Sequence, residues 1–298
     1  GRPLPQQSPW TLDLSLSLAM NKDVIAKLPN EARQIINSDA KIINRLGSNA
    51  LANYLLVNKG VYATDEDVPV NPATGERMKA ANNKNNGYVY MQAGDPIWVD
   101  VNGDYIIDDK DKVVVGNSQP RLTGGFNANL RYKSFSINTN FSFTIKRDII
   151  NKALADRFAA YGNPLSKDLN GSGAITPIEA FDFWKEDHIY AKYPNPFDYI
   201  RGGTADHQVN FFRPDQTLFM EDGSFLKING VSISYVLPKK VLDFLRVERV
   251  QLNASVNNIY TFSKYSGVNP ENVNSLGYDV SGGYPNSRNY TMGISIDF

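Results

Sequence analysis

The sequence predicts an all-β chain: an antiparallel transmembrane β-barrel segment with long external loops. Three observations carry this reading. Apolar and polar residues alternate with a period of two over runs of about 10 to 13 residues, roughly twice the usual strand length. Aromatic residues gather near the ends of these runs, as they do in the girdles of membrane barrels. The last run closes on an aromatic, Phe298. Alternation alone also fits a soluble sheet with one wet face, so a β-sandwich stays open at this point.

The elements follow in chain order. Gly1 to Trp10 (GRPLPQQSPW) is polar and proline-rich with no apolar core of a signal peptide, so the expectation is a chain that starts inside a longer protein. In WTLDLSLSLAM (10–20), Trp10, Leu12, Leu14, Leu16, Leu18 and Met20 share one face, against Thr11, Asp13, Ser15 and Ser17. FNANLRYK sets Phe126, Ala128, Leu130 and Tyr132 against Asn127, Asn129, Arg131 and Lys133. SFSINTNFSFTI follows at once, with Phe135, Ile137, Phe141, Phe143 and Ile145 apolar, so Lys133–Ser134 leaves room only for a tight hairpin. In FLKINGVSISY the apolar phase slips from Leu226 and Ile228 to Val231, Ile233 and Tyr235, which predicts a β-bulge at Asn229–Gly230. PKKVLDFLR (238–246) reads as one or two helical turns. Val250, Leu252, Ala254, Val256, Tyr260 and Phe262 form the next apolar face, and Tyr290, Met292, Ile294, Ile296 and Phe298 the last. Between the strands lie long polar segments, 62–121 and 146–223, the second with short helices expected at Ile149–Ala160 and Pro177–Asp187. Such loops suit the external side of a membrane barrel.

Composition excludes much chemistry. The 31 basic residues balance 31 acidic ones, which argues against a nucleic-acid partner. The absence of Cys removes disulfides, thiolate metal sites and cysteine nucleophiles. With two histidines, His188 and His207, a multi-histidine metal site is excluded, and no G-x-S-x-G nucleophile motif occurs. The reading is therefore not an enzyme, with no cofactor required. No apolar stretch is long enough for a membrane helix.

One segment carries ligand-like spacing. In DVNGDYIIDDKD, Asp100, Asn102, Asp104, Asp108 and Asp111 sit at positions 1, 3, 5, 9 and 12 of an EF-hand-type loop, and Ile106 offers a carbonyl at position 7. Tyr105 replaces the glycine of position 6, and Asp111 is shorter than the usual glutamate. The segment is either an acidic turn held by its own Asx side chains or a loop stapled by a structural calcium. Asp13, Asn127, Asn129, Arg131, Asn138, Asn140, Gln251, Asn253, Asn257 and Asp297 read as the polar wall of a hydrated lumen. Trp184, Tyr190, Tyr193, Phe197, Tyr199, Phe211 and Phe212 could stack on sugar rings or meet a partner, though aromatics in such clusters more often pack the loops together. His188 reads as a surface hydrogen-bonding residue.

Three stretches together resemble the SusC/RagA-type TonB-dependent outer-membrane transporters of the Bacteroidetes. AGDPIWVDVNGDYIIDDKDKVVVGNSQPRLTGGFNANLRYKSF (93–135) is similar to the family's D-x-N-G-D-G loop leading to G-N-P-x-P-x-x-x-G-G-F and a strand. DGSFLKINGVSISYVLPKKVLDFLRVERVQLNASVNNIYTFSKYSGVNPE (222–271) resembles its S-F-L-R-L-K-N-V-x-L-x-Y and x-N-L-x-x-x-T-x-Y-x-G-x-D-P-E strands. YPNSRNYTMGISIDF (284–298) resembles its Y-P-x-x-R-x-x-x-x-G-x-x-x-x-F terminus. The resemblance implies that residues 1–298 are the C-terminal part of a plugged, 22-stranded barrel, contributing roughly eight to ten strands, with the plug and N-terminal half of the barrel absent from this chain. It implies partners in that remaining barrel and plug, a SusD-like surface lipoprotein, outer-membrane lipid, and TonB through the plug. The implied function is uptake of oligosaccharides or oligopeptides across the bacterial outer membrane. The competing reading is a secreted or surface β-sandwich that binds glycans with a calcium-stapled loop. An uncovered apolar band separates the barrel from the sandwich, in which a second sheet would cover it.

Overall fold

The computed structural model describes residues 9–37, 42–50, 52–82, 87–161, 178–196, 209–279 and 286–298. The long alternating runs form one six-stranded antiparallel sheet whose spatial order follows the chain. Its strands are β1 (Trp10–Met20), β2 (Leu122–Tyr132), β3 (Phe135–Ile145), β4 (Phe225–Val236), β5 (Arg249–Ser263) and β6 (Asn289–Asp297). An 11-residue strand is about 35 Å long, and at a barrel tilt of 35–45° it spans about 25–28 Å, the height of a bilayer's apolar layer.

Pairing register stacks like on like. One rung runs Trp10–Tyr132–Phe135–Tyr235–Leu252–Ile294, and another Leu16–Phe126–Phe141–Ile228–Tyr260. The resulting apolar face is uncovered: Leu12, Leu14, Leu16 and Leu18 remain 58–62% exposed, and Met292 and Ile294 more so. A sandwich would bury this face against a second sheet, and among the described residues none lies there. The register shift between Ile228 and Gly230 places the bulge where the phase slip predicts it. The Lys133–Ser134 hairpin also forms, with Lys133 at the positive φ of 53° that tight hairpin turns demand.

The two ends of the sheet differ. At one rim the connections are short: Lys133–Ser134, and residues 237–248 carrying helix α2, defined below. Trp10 stacks on Tyr132 at this rim, with ring centroids 4.1 Å apart. At the other rim the connections 21–121, 146–224 and 264–288 are long. Their described residues form a folded layer with two apolar cores of its own.

Three expectations need correction. The sheet holds six strands rather than eight to ten, because strands in the long connections are two to five residues long and pair among themselves. The helix expected over Ile149–Ala160 is α1 (Lys152–Tyr161); Asp148–Ile150 is instead a strand paired with Met220–Asp222. Asn151 stops the strand and starts the helix, its Oδ1 accepting from Leu154 N at 3.0 Å. Of the helix expected at Pro177–Asp187, the described residues contain one 3₁₀ turn, Ile178–Ala180, and Phe183 then bridges to Tyr193. Pro177 lies outside the described residues. The short helix expected in 238–246 is present as α2 (Lys239–Leu245).

Candidate functional site

The polar face of the sheet is the first half of the site. Asp13, Asn129, Asn138, Ser232, Ser255 and Thr291 form one rung across all six strands. The adjacent rung is Ser15, Asn127, Asn140, Gly230, Asn257 and Asn289. Their side chains bond along the wall: Ser136 to Ser234 at 2.6 Å, Gln251 Nε2 to Asn253 Oδ1 at 2.9 Å, and Ser142 to Asn229 Oδ1 at 3.2 Å. The surface offers donors and acceptors to water or a polar solute, and it holds no catalytic constellation.

The layer at the long-connection rim is the second half. One core gathers Leu55, Ile150, Leu154, Phe158, Phe183, Tyr193, Phe212 and Phe219, with Phe158 ringed edge-on by Phe181, Phe183, Tyr193 and Phe212. The other gathers Leu56, Tyr62, Val68, Met78, Val89, Met91, Trp98, Ile107 and Phe211. Consecutive strand residues point to opposite faces, so Leu55 enters one core and Leu56 the other. Phe212 and Phe211 divide in the same way.

Buried polar groups bolt the halves of this layer together. Asp215 is 1% exposed and receives Arg213 through Nε at 2.7 Å and Nη2 at 2.6 Å, and Lys112 Nζ at 2.8 Å. Burial pushes its carboxyl up, but the Arg213 and Lys112 bonds outweigh that and hold it well below the usual carboxylate range. Gln216, fully buried, accepts from Trp98 Nε1 at 2.7 Å and donates to the Phe211 and Arg213 carbonyls. The layer is tied to the sheet by Lys227 of β4, whose Nζ meets Glu271 Oε2 at 2.6 Å. Nearby, Tyr265 donates to Asp279 Oδ2 at 2.5 Å; burial, then that bond, raises the phenol above its ordinary range.

The predicted ligand loop closes on its own backbone. Asp100 accepts from Gly103 N at 2.7 Å and Tyr105 N at 2.8 Å, and Asp104 accepts from Ile106 N at 2.8 Å. Asn102 Oδ1 accepts from Asp104 N while its amide donates to Asp104 Oδ2, each at 3.0 Å. Asp108 accepts from Lys110 N at 2.7 Å. Asp111 is buried and accepts from Val101 N at 2.9 Å and Asp108 N at 2.8 Å; burial raises its carboxyl despite these bonds. Tyr105 adopts φ 63°, the conformation glycine usually supplies, because its ring packs against the second core. Among the described residues, no three His, Asp or Glu side chains gather as a metal cage.

Most of the predicted external aromatics serve packing. Tyr193, Phe211 and Phe212 are core residues, and Trp184 is buried with Nε1 donating to the Ala63 carbonyl at 3.2 Å. Tyr190 stands free in solvent; Phe197 and Tyr199, like His207, lie outside the described residues. His188 bonds Asp182 at 2.7 Å on the surface, and that bond draws the Asp182 carboxyl below its usual range. A surface pair not anticipated from sequence is Tyr88 and Tyr90, half-exposed, with Lys79 Nζ 4.8 and 5.8 Å from their ring centres. The alternation in GYVY was the available signal.

An uncovered apolar band, a polar opposite face and one-sided long connections define the class: a segment of an outer-membrane-type β-barrel. No family model matches the chain. It is 26% identical over 216 residues to TonB-dependent receptor P3 of Formosa agariphila, covering 69% of this chain and 19% of that protein. It is also 26% identical over 225 residues to TonB-dependent receptor SusC of Bacteroides thetaiotaomicron, covering 72% and 19%. Among solved structures, the RagAB peptide transporter superposes with a TM-score of 0.66 at 20% identity, covering 99% of this chain and 28% of that one. The RagAB peptide importer in its closed-closed state gives 0.63, also at 20% identity. The chain is a β-barrel segment similar to the TonB-dependent receptors, SusC among them, and to the RagAB transporter in fold. It spans about a fifth of the length of the curated relatives it matches.

Proposed function

We propose that this chain is the C-terminal part of a TonB-dependent importer in the bacterial outer membrane, where it supplies barrel wall and external layer for uptake of oligosaccharides or oligopeptides. The observation that carries the reading is the apolar band across six strands, backed by an amide-rich wall and topped on one side by a folded layer. The relatives' names support the same role. In this reading the remaining barrel strands and plug close the pore, TonB acts through the plug, and a SusD-like lipoprotein covers the layer.

Topology in the intact transporter tests the reading. An epitope beside Tyr190 is reached by antibody on whole cells, whereas one at Lys133–Ser134 is reached only after the outer membrane is opened. The reverse pattern, or equal access, refutes it. Uptake of labelled oligosaccharide and oligopeptide, with and without TonB, then selects the substrate class. A structural calcium in the 100–111 loop is a secondary proposal: the oxygens have calcium-like spacing, and an ion would tighten a turn that its backbone bonds already form.

A further inference from the structure

The connection between β4 and β5 is unusual for the short-turn rim. Two residues suffice to join β2 and β3, yet here residues 237–248 build the helix α2. Arg246 closes it in the left-handed conformation, φ 56°, with its N–H on the Leu242 carbonyl, so the helix is held as a defined unit. Its faces are sharply divided. Val241, Phe244 and Leu245, spaced i, i+3 and i+4, share one side and are 37%, 85% and 49% exposed. Lys239, Lys240, Asp243 and Arg246 lie on the other side, with the half-buried Leu242 between Leu245 and Arg246.

The side of the sheet on which this connection lies can be read from Val250. That residue belongs to the apolar face of β5, pairing with Ile296, yet it is only 5% exposed. The connection 237–248 therefore folds over the apolar face rather than under the polar wall. The helix follows directly on Tyr235 and Val236, at the rim that carries the Trp10, Tyr132, Phe135 and Tyr235 aromatic rung. Three cations, Lys239, Lys240 and Arg246, against the two carboxylates Asp243 and Glu248 complete the pattern of a helix that rests in a membrane surface with basic residues at the phosphates.

Resting on the barrel reading above, we infer that α2 is an interfacial helix. Val241, Phe244 and Leu245 insert among the acyl chains of the leaflet at the short-turn rim, and Lys239, Lys240 and Arg246 engage anionic phospholipid headgroups. The helix fixes the depth at which this end of the barrel sits.

Because the chain has no Cys, single nitroxide labels can be placed in the intact transporter, with any cysteine elsewhere replaced by Ser. The labelled sites are Phe244→Cys, Asp243→Cys and Ile233→Cys, in vesicles of phosphatidylethanolamine and phosphatidylglycerol. Collision with oxygen relative to a water-soluble nickel chelate is then measured. At 244 the ratio is expected several-fold above that at 243 and below that at 233. A ratio at 244 equal to that at 243 overturns the inference, as does loss of both collisions, which means a protein covers the site. If 233 also reads as aqueous, the barrel reading itself fails. Exchanging phosphatidylglycerol for phosphatidylcholine should lower the ratio at 244, and should not do so in the Lys239→Gln/Lys240→Gln variant; equal lipid dependence in both removes the headgroup role.

Discussion

Replacing Asp215 with Asn removes the charge that two cations share. Lys112 is 8% exposed at its side chain and Arg213 20%, and both face the Asp215 carboxylate at 2.6–2.8 Å. After the substitution their remaining carboxylate is Asp109, itself 56% exposed, 2.8 Å from Lys112 and 3.6 Å from Arg213. Breaking a buried pair on one side costs about 3–5 kcal/mol, because the surviving charge stays desolvated. At about 1.4 kcal/mol per factor of ten, that is roughly two to three and a half decades in the opening equilibrium of the layer. Hydrogen exchange reads it directly: the Leu56 amide donates to the Asp215 carbonyl and the Asn58 amide to Thr217 Oγ1. Protection factors at these two amides should fall by that amount in Asp215→Asn. A fall of less than tenfold refutes the claim that the cluster holds the layer together. The sign with pH follows from the depressed carboxyl: its contribution is complete above the unfolded carboxylate range and is lost progressively as pH falls from that range through the lower folded value. Protection, corrected for intrinsic exchange, should therefore hold from neutral pH to about pH 4 in the native protein.

Other perturbations follow from the same geometry. A Cβ at Gly124 would lie 2.4 Å from the Phe143 ring and 2.5 Å from the Ser17 carbonyl, so Gly124→Ala should destabilise the sheet by about 1–3 kcal/mol, seen as a lower temperature for loss of the heat-modifiable gel band. Asp111→Ala strips two backbone amides, of Val101 and Asp108, of their acceptor and should cost about 1–3 kcal/mol locally, measured as faster proteolysis within 100–111. Calcium added to the chelated protein should raise protection at the Gly103 and Tyr105 amides if the loop binds it; protection that magnesium raises equally, or that does not change, removes the calcium proposal. Lys227→Met should loosen 264–279 from the sheet, raising exchange at the Glu271 amide, while the β4–β5 ladder stays protected.

The long strands were legible because each face of each strand meets one environment along its whole length, which forces period-two alternation. The bulge at Asn229–Gly230 was visible for the same reason, as a phase slip. The layer was not legible. Its strands are too short to show a period, and its cores are filled by adjacent pairs such as Leu55–Leu56 and Phe211–Phe212, which read as structureless apolar doublets. Ile149 and Ile150 read as the start of a helix because the partner of their strand, Met220–Asp222, lies some seventy residues away and leaves no local trace. The spacing in 100–111 leaves an Asx-held turn and a calcium loop equally legible, because which groups those oxygens bond is set by the fold around them. Asp100, Asn102, Asp104, Asp108 and Asp111 each accept a backbone amide of the loop instead of gathering into a cage.

The doublets have a mechanical consequence. A strand that feeds Leu55 into one core and Leu56 into the other cannot shift without straining both, and the 211–212 segment repeats the arrangement. The two cores are thus riveted, and any movement of one against the other must break packing in both at once.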